Sequence, residues 1–163
     1  MKLILDTSVL IAFYTELRME HLLLSLSKHG FEILVPEYIL IEEMKSDLDR
    51  LHKAVRNDEI GTLSQAPNED IRTLKDRFPS LNRGELEVMW WGMSFKKCNE
   101  TYSAVIDDGK ARKCAQKLEI EMTGTLGLIE ILNDLEILSK KEKAIICRTL
   151  RSKGFRMPGD YKC

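Results

Sequence analysis

The side chains best placed to do chemistry in this sequence are carboxylates. Asp6 closes the short aliphatic run Lys2 to Leu5, and Asp107 and Asp108 close the run YSAVI. Glu85 follows Gly84 at a helix start, and Glu42 and Glu43 lie about one turn into the helical stretch that follows Pro36. Taken singly, each has an ordinary use, since Asp caps helices and a first-turn Glu complements the helix dipole. Taken together, carboxylates gathered in one pocket repel one another and rise in pKa unless a cation joins them. An oxygen-rich site with few nitrogen ligands suits a hard divalent ion, Mg²⁺ or Mn²⁺. His21, His29 and His52 have no mutual ligand spacing, and Cys98, Cys114, Cys147 and Cys163 form no C-x-x-C pair, which argues against zinc chemistry.

These acids need a scaffold that brings distant segments together. Apolar runs of four or five residues predict strands at Lys2 to Leu5, Phe31 to Val35, Tyr102 to Ile106 and Ile120 to Thr123. Helical spacing predicts helices from Thr7 to Tyr14 with Thr7 or Ser8 as cap, from Glu16 to His29, and from Glu37 to about Val55. Further helices are predicted over Glu69 to Arg77, Gly84 to Lys97, Lys110 to Leu118, Gly124 to Leu138 and Lys140 to Lys153. The stretch from Asn57 to Asn68 has no periodicity and reads as a loop. Strands alternating with helices imply an α/β fold, a small parallel sheet covered by helices on both faces in three α/β/α layers. Such sheets place functional groups at the carboxyl ends of their strands, where Asp6, Asp107 and Asp108 stand.

The 163 residues read as one domain, with a core to about residue 138 and a C-terminal helix and tail over 139–163. A hydrophobic fraction of 44% and a charged fraction of 31% exclude disordered and fibrous classes. The net charge of −1 hides an asymmetry, because residues 110–163 hold 12 Lys/Arg against 7 Asp/Glu. No apolar run is long enough to span a bilayer. The cysteine pattern fits reduced thiols in a cytoplasmic protein. Trp90 and Trp91 sit beside Val88, Met89 and Met93 at helical spacing, which favours packing in the core or between copies over base stacking.

The segments LILDTSVLI, VPEYILIEEMK, LNRGELEVMWW, AVIDDGKARKCA and MTGTLGLI, spread from residue 3 to residue 129, resemble the PIN domain, the small metal-dependent nuclease fold that includes VapC-like toxin ribonucleases. The resemblance implies hydrolysis of RNA phosphodiesters with Mg²⁺ or Mn²⁺, held by Asp6, Glu43, Glu85, Asp107 and Asp108 as metal ligands and catalytic residues. Asp107 and Asp108 share one motif. Glu43 is preferred to Glu42 because Leu40 and Met44 flank it as the family pattern requires. Glu42, Glu87, Ser8 and Thr123 take secondary roles: Glu87, about 200° round the helix from Glu85, as a supporting or solvated group, and Thr123 as a residue orienting a carboxylate or phosphate. Arg112, with Lys110 and Lys113, is expected to contact RNA phosphate, and a second basic stretch runs from Lys140 to Arg156. Gly124 to Gly127 is a weak phosphate-loop signal, since helix packing also demands small residues. The resemblance also implies a homodimer and, for a toxin, an antitoxin partner. The alternative reading is a catalytically inactive module that binds RNA or a protein partner. Ser8 stands where a haloacid-dehalogenase-type phosphatase needs its second Asp, which counts against that class.

Overall fold

A computed structural model describes residues 1–44, 48–158 and 161. Its centre is β1 (Lys2–Leu5), whose Leu3, Ile4 and Leu5 are entirely buried. A strand covered on both faces has no solvent side, so it reads as a continuous aliphatic run rather than an alternating one. β2 (Glu32–Pro36), β3 (Gly61–Leu63), β4 (Tyr102–Val105) and β5 (Met122–Thr123) complete a five-stranded sheet in the order β3-β2-β1-β4-β5. All four pairings are parallel. Helices flank the sheet, giving the three-layer α/β/α architecture expected from the strand-helix alternation.

The order of the strands makes a site. From β1 the chain proceeds outward to β2 and β3, then returns across β1 to β4 and continues to β5. The boundary between β1 and β4 is therefore the point where the connections reverse, and a crevice opens there at the strands' carboxyl ends. Lys2 to Leu5 pair in register with Tyr102 to Val105, so Asp6 and Asp107 emerge from neighbouring strands one residue apart in level.

The helices are α1 (Thr7–Leu10), α2 (Glu20–Ser25), α3 (Leu48–Arg56), α4 (Asn68–Arg77), α5 (Arg83–Lys97), α6 (Gly109–Lys117), α7 (Thr125–Asp134) and α8 (Lys140–Ser152). α1 runs on into a π-helical segment over Ile11–Glu16, which buries Phe13 and Tyr14. Three expectations need correction. The stretch from Asn57 to Asn68 contains edge strand β3; three residues are too few to carry a periodicity, and pairing with β2 creates the strand. The helix expected from Glu37 to Val55 is broken, because a π-helical turn over Ile39–Glu43 ends at Met44, which leaves helical geometry with φ −88° and ψ 69°. Helical order resumes at Leu48, and residues 45–47 lie outside the described ones. Finally, neither Thr7 nor Ser8 caps the first helix. Asp6 occupies the cap position without a capping side-chain bond, leaving its carboxylate for other contacts.

The large apolar face of α5 packs inward through Leu86, Val88 and Met89. Trp90 and Trp91 are half-buried and engaged within the chain: their indole N–H groups donate to Asp70 at 2.9 Å and to the Ser64 carbonyl at 3.0 Å. Cys98, Cys114 and Cys147 form no disulfide among the described residues, and Cys163 lies outside these. No described helix is long and apolar enough to cross a membrane.

Candidate active site

Asp6 is 4% exposed at the end of β1. Ser8 donates to its Oδ2 at 2.9 Å, a bond that the turn into α1 makes possible between residues two apart. Burial is the main cause that lifts its pKa to about 7, and the carboxylates of Glu85 and Glu43 push it in the same direction. Among the described residues, no Lys or Arg contributes to this shift. Asp6 is thus a desolvated acid in the field of two others.

Glu43 arrives from the turn after β2. Thr7 donates to its Oε2, and the Gly84 backbone N–H donates to Oε1 at 3.2 Å. Gly84 is the residue this approach requires, since a Cβ there would stand 2.6 Å from both carboxylate oxygens of Glu43. The glycine of the RGELE segment therefore has a packing reason: it lets the start of α5 meet the turn carrying Glu43. Glu42, next to Glu43, is exposed.

Glu85 stands in the first turn of α5, in a reciprocal cap with Asn82. The Asn82 side chain accepts from the Glu85 N–H at 2.8 Å, while Glu85 Oε2 accepts from the Asn82 N–H at 2.8 Å. Burial raises the Glu85 pKa, and the nearby Asp108 and Glu43 carboxylates add to the rise against the backbone bond and Lys75. Glu85 thus couples to three other acids: it raises Asp6, and Asp108 and Glu43 raise it.

The adjacent pair after β4 divides its work. Asp108 is exposed and caps α6, accepting from Lys110 N at 2.8 Å and Ala111 N at 2.9 Å, while its charge is felt by Glu85. Asp107 turns toward β5. Its Oδ1 accepts from Thr125 N at 2.8 Å and its Oδ2 from Thr125 Oγ1 at 2.6 Å. Burial raises the Asp107 pKa, with the Thr125 bonds and the Arg112 charge opposing. Gly124 allows this contact, because a Cβ there would lie 2.8 Å from Asp107 Oδ1. The Gly124 to Gly127 stretch is thereby explained by close packing: Gly127 similarly leaves room for the Thr123 hydroxyl.

Several secondary expectations change. The threonine that orients a carboxylate is the fully buried Thr125, not Thr123, whose carbonyl instead accepts from Arg112. Arg112 Nη1 links the ends of β4 and β5 by donating to Ile106 O at 2.8 Å and Thr123 O at 2.9 Å. Lys110 and Lys113 are exposed on α6. Glu87 is not solvated: it is completely buried, accepting from Ala66 N at 2.8 Å and from Arg83 Nε at 2.9 Å. Arg83 also lies over the Tyr38 ring, 5.2 Å from its centroid, tying α5 to the turn that carries Glu43. Nothing local marks Thr125 as Asp107's partner; the signal available was a hydroxyl immediately after a glycine at the end of a predicted strand.

Of the acids described above, Asp107 and Asp108 border an open cleft of about 630 Å³, lined also by Ser8, Ile11, Glu16 and residues at and after the end of α8; Asp6, Glu43 and Glu85 are not among its lining residues. In their present rotamers, no three carboxylate, imidazole or thiol groups among the described residues share a common coordinating point. The donor chemistry nevertheless suits a hard cation: oxygen ligands alone, mutual repulsion, and a buried Asp6 raised by its acidic neighbours.

Parallel strands between two helical layers, with acids gathered where the connections reverse, define the class: an α/β protein with its candidate site at the strands' carboxyl ends. The family can be given directly: the model for the PIN domain matches residues 2–161, and the chain belongs to that family. PIN domains are generally nucleases and generally use divalent metals. No curated protein matches the chain.

Proposed function

We propose that this protein is a divalent-metal-dependent ribonuclease that hydrolyses phosphodiester bonds at the crevice between β1 and β4. The observation that carries this reading is the convergence of carboxylates from separate segments: Glu85 and Glu43 raise the proton affinity of buried Asp6, Glu43 and Asp108 raise that of Glu85, and no basic side chain among the described residues pairs with Asp6. Asp6, Glu43, Glu85 and Asp108 would hold Mg²⁺ or Mn²⁺, and Asp107 would complete the acidic wall. A bound ion supplies neutralisation of phosphate charge and a more acidic attacking water.

The remaining work belongs to the protein's own groups. Ser8 and Thr7 fix the carboxylates of Asp6 and Glu43, and the Gly84 N–H holds Glu43 against the start of α5. Thr125 fixes Asp107 through both oxygens, so the carboxylate cannot rotate without losing two bonds. Arg112 borders the cleft on the β5 side next to Asp107, where the part of its guanidinium not bonded to the strand-end carbonyls can meet a phosphate oxygen. Lys110 and Lys113 extend positive charge along α6 toward the RNA backbone.

The test is cleavage of end-labelled RNAs with Mg²⁺ or Mn²⁺, comparing the wild type with a protein carrying Asp6→Asn and Asp107→Asn. Cleavage should require the metal, stop with a chelator, and fall at least a hundredfold in the double variant, on the order of what loss of a strong electrostatic contribution costs. Equal cleavage by both proteins, or none by the wild type across varied RNAs, would overturn the assignment.

A further inference from the structure

We infer that the turn after α8 is a ridge for single-stranded polynucleotide, with Arg156 gripping a phosphate and Phe155 stacking on a base beside Asp107. The inference rests on the nuclease reading for its choice of ligand and concerns residues outside the acidic cluster.

The turn has fixed geometry. Gly154 adopts φ 85°, and the N–H groups of Gly154 and Phe155 donate to the carbonyls of Arg151 and Leu150, each at 3.0 Å. This pair of bonds around a left-handed glycine is the helix-ending arrangement that reverses the chain. It directs Phe155 and Arg156 back toward the strand ends. Phe155 is half-buried against the core, while Arg156 is exposed.

Two clefts meet this ridge. The one of about 630 Å³ on the α1 side and another of about 470 Å³ on the β5 side both include Asp107, Phe155 and Arg156 in their walls. A chain running from one cleft into the other passes Asp107, Phe155 and Arg156, the residues common to both walls.

Charge points to the same use. Glu16 faces one cleft and Glu130 the other, and each has a lysine partner: Lys153 at 3.7 Å and Lys143 at 2.7 Å respectively. Arg156 has no hydrogen bond or ion pair with another described residue. It is thus an uncommitted cation bordering both clefts. A half-exposed aromatic next to an uncommitted cation is the pairing used on single strands, whose unstacked bases can lie on a ring. Bases within a duplex offer no free face to Phe155.

The test is fluorescence anisotropy of a short fluorescein-labelled single-stranded RNA with the full-length protein in Ca²⁺, with the RNA checked by gel for integrity, beside the same sequence as a duplex. Arg156→Ala should weaken single-strand binding roughly three- to tenfold and reduce the salt slope by about 0.7, the contribution of one phosphate contact. Phe155→Leu should weaken it roughly five- to twentyfold, whereas Phe155→Tyr, which keeps the ring, should bind like the wild type. Lys141→Ala, at the far end of α8, should change nothing, and thermal melting of each variant separates lost binding from lost fold. Binding unchanged in both Arg156→Ala and Phe155→Leu, equal affinity for the duplex, or no binding by the wild type would overturn the inference. If binding follows this pattern but no RNA is cut, the nuclease assignment fails and the ridge stands. If RNA is cut while both variants bind normally, the ridge fails and the nuclease assignment stands.

Discussion

Removing one negative charge from the buried end of β1 should stabilise the metal-free protein at neutral and alkaline pH. Asp6 has a pKa of about 7 in the folded chain against an ordinary value of 3.8. Between those values the native state holds a proton that the unfolded chain has released, so stability falls as pH rises through the interval. The contribution is fully present below pH 3.8 and is lost by the time the pH passes about 7. About three pKa units at 1.36 kcal/mol each give a ceiling of roughly 4 kcal/mol, about half of which falls between pH 5 and pH 7. Asp6→Asn keeps an acceptor for Ser8 and presents an amide to Glu43 and Glu85, so it removes the penalty without leaving the serine unpaired. Urea denaturation at pH 5 and pH 8 in chelator should show the wild type losing stability on the alkaline side and Asp6→Asn losing less, with the variant more stable by about 2 kcal/mol or more at pH 8. Added Mg²⁺ or Mn²⁺ should stabilise the wild type at pH 8 and stabilise the variant much less, because a cation that binds the native state shifts its equilibrium by mass action. The reasoning fails if Asp6→Asn is no more stable than the wild type at pH 8 and its pH dependence is unchanged.

Other substitutions separate positioning from fold. Thr125→Val should cost about 1–3 kcal/mol by leaving Asp107 Oδ2 without its hydroxyl partner, and Thr125→Ser should recover most of both stability and RNA cleavage. Gly84→Ala places a methyl 2.6 Å from the Glu43 carboxylate, so calorimetric Mn²⁺ affinity should drop about tenfold or more while circular dichroism stays native. Glu87→Ala removes a completely buried carboxylate from Arg83 and Ala66 N and should lower unfolding free energy by about 3 kcal/mol in urea titrations.

The local pattern carried the elements that local physics controls. β1 is readable because a strand buried on both faces must be apolar throughout, and α5 is readable because Asn82 and Glu85 cap its start while its apolar face repeats at helical spacing. The acids at strand ends were readable for the same reason, since the end of an apolar run locates the end of a strand. Edge strand β3 was not, because its existence depends on β2 lying alongside it. The break at Met44 was hidden too, because Leu40, Met44 and Leu48 keep helical spacing across a segment whose backbone leaves the helix.

Local sequence pattern alone carries the parallel α/β frame and the presence of acids at Asp6, Glu43, Glu85, Asp107 and Asp108. How each acid is used depends on the folded arrangement. It turned Asp107 toward Thr125, 18 residues on, while Asp108 capped its own helix and entered the field of Glu85. It buried Glu87 as acceptor for the Ala66 N–H, and it brought Phe155 and Arg156 into cleft walls shared with Asp107. The difference is one of range. Periodicity and capping act between residues a few positions apart, whereas desolvation, carboxylate coupling and the meeting of two clefts depend on which distant segments the crossover connections bring to the same sheet edge.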